Sequence, residues 1–190
     1  MQNILKDMSL FGEESKLKNK RHKIGLGGGC HWCTEAVFQS LLGVESVAQG
    51  FIGSDGNNTS FSEAVIVDFD PEIISLETLI EIHLYTHKST SAHSMRSKYR
   101  SAVYYFNQDQ QIEVNHILHQ LQNNFTETVI TKALAFRNFK ESEEMFKNYY
   151  YSNPDKPFCE THINPKLSLL LKQFGKAVNH EKIIRKELSS

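Results

Sequence analysis

One short stretch of the chain, Gly27-Gly28-Gly29-Cys30-His31-Trp32-Cys33-Thr34-Glu35, holds two thiols, an imidazole, an indole and a carboxylate behind three glycines. Three chemistries fit that text: a zinc ligand pair, a redox dithiol, or a single nucleophile at Cys30 with Cys33 as its neighbour. Glycines ahead of a helix let the backbone turn sharply and come close to a substrate, with Gly29 directly before Cys30. A helix start also offers unpaired N–H groups and the positive end of the helix dipole, which draw a cysteine there toward thiolate. For zinc, His83 and His87, one helical turn apart, would complete the set. They lie much further along the chain than compact zinc sites place their second pair. A thioredoxin-like dithiol needs a proline opening a later strand beside it, and none of Pro71, Pro154, Pro157 or Pro165 opens an expected strand.

The elements that must hold these residues follow from pattern. With 39% hydrophobic and 23% charged residues among 190, the chain has enough apolar content for one compact domain with a real core. A net charge of -1 provides no field to recruit nucleic acid. No apolar run is long enough to span a bilayer, and the first residues lack the apolar core of a secretory signal. The expectation is a cytoplasmic protein without a membrane or nucleic-acid partner. Three cysteines make an odd count, which argues against a secreted disulfide framework.

Residues 1–22 are polar and read as an arm, leaving 23–190 as the catalytic domain with a C-terminal loop and helix. KIGLGGG reads as a strand ending in a glycine turn, 34–42 as a helix, VESVAQGFIG as a second strand and FSEAVIVDFD as a third. In the third strand Glu63, Val65, Val67 and Phe69 share one face. Ser75 can cap a helix running to Thr86 with Leu76, Leu79, Ile80 and Leu84 inward. A polar loop over 88–98 leads to the strand YRSAVYYF, a polar helix over 109–122 and the strand ETVITKALAF. Residues 141–153 read as helical, and one long amphipathic helix is expected after Pro165. The order predicts an α+β fold: a single domain with a mixed β-sheet and flanking helices, close to a split βαβ pattern.

From about residue 23 to about residue 174 the chain resembles a peptide methionine sulfoxide reductase of the A type. Five stretches carry the resemblance in order: GCHWCTEAVF, GVESVAQGFIG, FSEAVIVDFDPEIIS, SKYRSAVYY and SEEMFKNYYYSNP. It implies a ferredoxin-like core and reduction of methionine-S-sulfoxide, protein-bound or free, through a cysteine sulfenic acid and an intramolecular disulfide. It also implies no cofactor beyond an external dithiol, with thioredoxin as the reductant. Cys30 matches the nucleophile and Glu63 the acid, whose proton a carboxyl group raised by desolvation can supply. Trp32 matches the pocket wall for the sulfoxide methyl group, and Tyr99 a hydroxyl for the sulfoxide oxygen.

Four positions depart from the family's pattern. His31 stands where Phe is usual, which makes one wall of the methyl pocket polar. Phe51 stands where a second tyrosine is usual, Ser94 falls where an aspartate is expected, and Phe146 replaces a histidine. Oxygen recognition is therefore expected to lean on Glu63 and Tyr99, with His31 or His93. For the thiol that resolves the sulfenic acid, the resemblance implies Cys159, in SNPDKPFCE. Cys33, one helical turn from Cys30, is the alternative, since that spacing can close a disulfide.

Overall fold

The computed structural model describes residues 22–184. The arm expected over 1–22 lies outside them except for His22, which opens the first strand. Four strands and two helices form the centre. Strand β1 (His22–Gly27) runs antiparallel to both β3 (Ser62–Phe69) and β4 (Ala102–Tyr105), and β2 (Val44–Gly53) runs antiparallel to β3. Helix α1 (His31–Gln39) links β1 to β2, and α2 (Leu76–Thr86) links β3 to β4. The central order β4-β1-β3-β2 is the split βαβ arrangement that the pattern predicts. Two short strands extend it. β5 (Lys132–Ala135) adds parallel to β4 after helix α3 (Gln108–Leu121), and β6 (Asn138–Glu141) adds antiparallel to β2.

Alternation along β3 decides which side chains meet. Glu63, Val65, Val67 and Phe69 face the helices, and the last three join the main core with Ile24, Leu26, Phe38, Leu79 and Ile80. On the other face Ala64 packs with Ile52, Ala102 and Tyr104 in a smaller cluster. Asp70-Pro71 ends the strand, with the Asp70 carboxylate accepting from the Glu72 N–H at 2.9 Å. Ser75 caps α2 as expected, its hydroxyl accepting from the Thr78 N–H at 3.1 Å.

Two expected helices are broken. Residues 141–153 give the end of β6, a 3₁₀ turn (Glu144–Phe146) and the single turn α4 (Tyr149–Ser152). Their helical propensity is overridden by tertiary bonds. The Glu35 carboxylate takes the Asn148 and Tyr149 N–H groups, buried Gln49 takes the Phe146 carbonyl, and Asn148 adopts φ 51° between the two turns. The long closing helix is also divided. A π-helical turn (Cys159–Ile163) leads into α5 (Asn164–Phe174), which stops where Val178 bridges to Leu41, before the short α6 (His180–Ile184). No helix of the described residues is long and apolar enough to cross a membrane.

Candidate active site

All the strand ends that matter lie at one edge of the sheet. β1 ends in the glycine turn before Cys30, β2 ends beyond Phe51, β3 starts at Ser62 and Glu63, and β4 starts just after Tyr99. Antiparallel pairing puts Phe51 opposite Glu63 in register. Cys30, His31, Trp32, Cys33, Phe51, Glu63 and Tyr99, far apart in sequence, thus gather at this edge.

Cys30 is the N-cap residue of α1 and half-buried. Its pKa lies below that of an ordinary thiol, chiefly because the Cys33 thiol hydrogen-bonds to it, helped by the N–H groups of Trp32 and Cys33 at the helix start. Burial and the Glu63 charge oppose that shift without reversing it. The Cys33 thiol is pushed up by the same bond and by burial, so it keeps its proton. Its S–H has a second acceptor within reach, the His162 carbonyl at 3.8 Å on the π-helical turn.

The turn ahead of Cys30 is fixed from below. A Cβ on Gly28 would come within 2.4 Å of the His87 ring, so only glycine fits there. At Gly29 the nearest atom to a built Cβ is 3.8 Å away, so packing within the chain does not demand its bare backbone. His83 donates from Nε2 to the Gly27 carbonyl at 2.9 Å and stacks on His87 with ring centres 4.2 Å apart. Burial lowers the pKa of His83 to about 4 and that of His87 well below the ordinary value, so both are neutral. His87 then donates from Nδ1 to the His83 carbonyl and accepts at Nε2 from Ser101, which in turn accepts from Thr131. These nitrogens are spent on the protein itself. Among the described residues no three His, Cys, Asp or Glu side chains converge as metal ligands, and the zinc set of Cys30, Cys33, His83 and His87 does not assemble.

Glu63 is buried but not in apolar surroundings. One carboxylate oxygen accepts from the His31 N–H at 3.1 Å, and the other faces the Lys98 ammonium at 3.4 Å. His31 Nδ1 lies 3.1 Å from the Gly50 carbonyl, which can only accept, so Nδ1 carries the hydrogen and Nε2 faces Glu63 at 3.9 Å. Trp32 stacks on Tyr149 with centres 4.1 Å apart and planes 5° apart, and meets Phe158 edge-on at 5.3 Å. One face of the expected methyl wall is therefore taken by Tyr149. The indole N–H is buried without a partner among the described residues.

Tyr99 is half-buried at the end of the 88–98 loop, and Arg96 holds that loop in place. The guanidinium donates to the Gly28 and Tyr99 carbonyls at 2.9 Å each, to that of Ser91 at 2.8 Å and to that of Lys88. It ties the nucleophile's turn to the tyrosine's backbone. His93 instead caps the 3₁₀ turn of this loop by accepting from the Met95 N–H, which uses its Nδ1. Cys159 is fully buried in the π-helical turn, its thiol 3.6 Å from the Asn153 carbonyl.

Lys98, Glu35, Arg96 and Tyr149 escaped the sequence reading. Lys98 could have been found as a charge opposite to Glu63 beside Tyr99. The bonds of Glu35, Arg96 and Tyr149 are tertiary and leave no local mark. A hollow of about 660 Å³ lined by Gln39, Glu45, Tyr151 and Glu181 contains none of the sulfur-handling residues.

The arrangement is that of a thiol oxidoreductase: a lowered-pKa cysteine at a helix start, a protonated thiol one turn on, and a carboxylate facing them. The family model for peptide methionine sulfoxide reductase matches residues 22–178. The chain is 35% identical to the peptide methionine sulfoxide reductase MsrA of Trichodesmium erythraeum, over 82% of this chain and 97% of that one. Its fold is similar to reduced Mxr1 from Saccharomyces cerevisiae, with a TM-score of 0.66 and 23% identity, over 76% of this chain and 92% of that one. It is also similar to Mxr1 in complex with Trx2, with a TM-score of 0.52 and 19% identity, over 67% of this chain and 85% of that one. The chain belongs to the peptide methionine sulfoxide reductase family, and its activity is thiol-dependent reduction of methionine sulfoxide, that of a peptide-methionine (S)-S-oxide reductase.

Proposed function

We propose that Cys30 reduces the S epimer of methionine sulfoxide, in proteins or free, and that Cys33 is the first thiol to resolve the product. The contact between the two thiols at the start of α1 carries this reading. The Cys30 thiolate attacks the sulfoxide sulfur while a proton from solvent, relayed by the Glu63 carboxylate, reaches the oxygen and the Tyr99 hydroxyl donates to it. Thiolate, sulfoxide and one proton become the Cys30 sulfenic acid and the thioether, the electron pair passing from the cysteine sulfur to the substrate sulfur. Cys33, still protonated, then displaces the oxygen. The Cys30 to Cys33 disulfide forms and one water leaves, carrying the thiol proton.

Two observations favour Cys33 over Cys159 as the first partner: its bond to Cys30, and the complete burial of Cys159. Cys159 is the second acceptor, reached through Cys33, whose thiol is directed at the turn that carries Cys159. An external dithiol reduces the bridge. Thioredoxin fits that role, and the complex of Mxr1 with Trx2 supports it.

The test is turnover of separated S and R epimers with dithiothreitol, wild type against Cys30→Ser. S-epimer turnover that Cys30→Ser abolishes is the expected result; an intact Cys30→Ser rate sinks the reading. Peptide mapping after one turnover without reductant should recover Cys30 joined to Cys33. Recovery of Cys30 joined only to Cys159 reverses the order of the thiols.

A further inference from the structure

Lys98 takes no part in the step at Cys30, yet among the described residues its ammonium pairs with Glu63 and lies beside Tyr99. Its side chain is 54% exposed, and an exposed ion pair of this kind stabilises a fold very little. Its placement is nonetheless fixed. The Lys98 carbonyl accepts from the Glu63 N–H at 3.0 Å and from the Ser62 hydroxyl at 2.9 Å, and the next carbonyl along is held by Arg96. From that fixed backbone the ammonium reaches the Glu63 carboxylate at 3.4 Å and sits 5.0 Å from the centre of the Tyr99 ring. Tyr99 first, and Glu63 second, raise its pKa, so it is fully charged.

An ammonium has three N–H donors and no acceptor. Glu63 engages one, which leaves N–H groups free for an oxygen placed between Glu63 and Tyr99. Phe51, opposite Glu63 across the sheet, brings no donor to that place. A sulfoxide oxygen carries much of a negative charge, whereas the thioether it becomes is a weak acceptor.

We propose that Lys98 is the oxygen-recognising cation of this site, donating to the sulfoxide oxygen beside Tyr99 and distinguishing sulfoxide from thioether product. The inference rests on the reading that Cys30, Glu63 and Tyr99 surround the bound sulfoxide. Lys98 then favours substrate entry and product release together, because its bond is lost when the oxygen departs.

The chain's single tryptophan is Trp32, so intrinsic fluorescence reports occupancy of the site. In a Cys30→Ser background, which cannot turn over, the protein is titrated with N-acetylmethionine amide S-sulfoxide and with the corresponding thioether. Adding Lys98→Met should weaken the sulfoxide about ten-fold and leave the thioether unchanged, while Lys98→Arg stays within about three-fold of the parent. Equal loss for both ligands, or no loss for either, overturns the inference. Should Lys98→Met fail to fold, Lys98→Gln, also uncharged, answers the same question. If the Cys30→Ser parent binds neither ligand, the underlying reading of the site fails and the inference with it. A parent that binds sulfoxide without regard to residue 98 fails the inference alone.

Discussion

A thiol with a lowered pKa and a thiol with a raised one stand side by side at the start of α1, and the same bond causes both shifts. The pair divides the labour: Cys30 is ready to attack, and Cys33 keeps the proton that the departing oxygen needs. Removing the donor should therefore blunt the nucleophile. A hydrogen bond to a charged group is worth about 1.5 kcal/mol or more, a factor of about ten in thiolate population near neutral pH. Cys33→Ala is expected to slow alkylation of Cys30 by iodoacetamide at pH 7 about ten-fold, while Cys33→Ser, whose hydroxyl still donates, loses much less. Alkylation of Cys33→Ala at the wild-type rate across pH 5 to 9 would mean that the helix start alone sets the thiol's reactivity.

Single elements were legible where local pattern and tertiary context agreed. β2 matches the expected strand residue for residue, α2 starts at its serine cap, and the alternation of β3 placed Glu63 on the helix face. The site's outline was legible too, since five collinear stretches carried Cys30, Trp32, Glu63 and Tyr99 to one edge. The segment over 141–153 was not. Its composition favours a helix, but Glu35 and Gln49 claim its backbone from across the molecule, and no local signal announces partners 113 and 97 positions away. The strand β6 was hidden in the same way, because the edge of β2 that it pairs with is set by the rest of the sheet. Glu35 thus positions the aromatic wall, holding Tyr149 against Trp32. Glu35→Ala takes one of two acceptors from the Gln49 amide and leaves the Asn148 and Tyr149 N–H groups without theirs, at a cost of about 2 to 3 kcal/mol. Urea unfolding should show that loss. The KM for sulfoxide should rise while alkylation of Cys30 keeps its rate. A variant as stable as the wild type would remove Glu35 from the account of the wall.

At the scale of the whole molecule, the sheet edge that carries the chemistry is supported by a buried polar column of His83, His87, Ser101 and Thr131, joining α2, β1 and β4 under the glycine turn. This column has a pH dependence of definite sign. Burial holds the folded pKa of His83 at about 4, against the 6.5 usual for an exposed imidazole, so on acidification the unfolded chain takes up a proton before the folded one. The stability contribution is fully present above about pH 6.5 and is lost as the pH falls toward 4. Between pH 6.5 and 5 that loss is about 2 kcal/mol from His83 alone, a fall of about 4 to 8 °C in melting temperature for a chain of this size. His87, shifted in the same direction, adds to it. In His83→Gln the side-chain amide can still donate to the Gly27 carbonyl but does not titrate. It should therefore be less stable than the wild type at pH 7.5 and show a shallower decline toward pH 5 when melting is followed by circular dichroism at both values. Parallel pH profiles for the two proteins would place the acid sensitivity elsewhere in the fold.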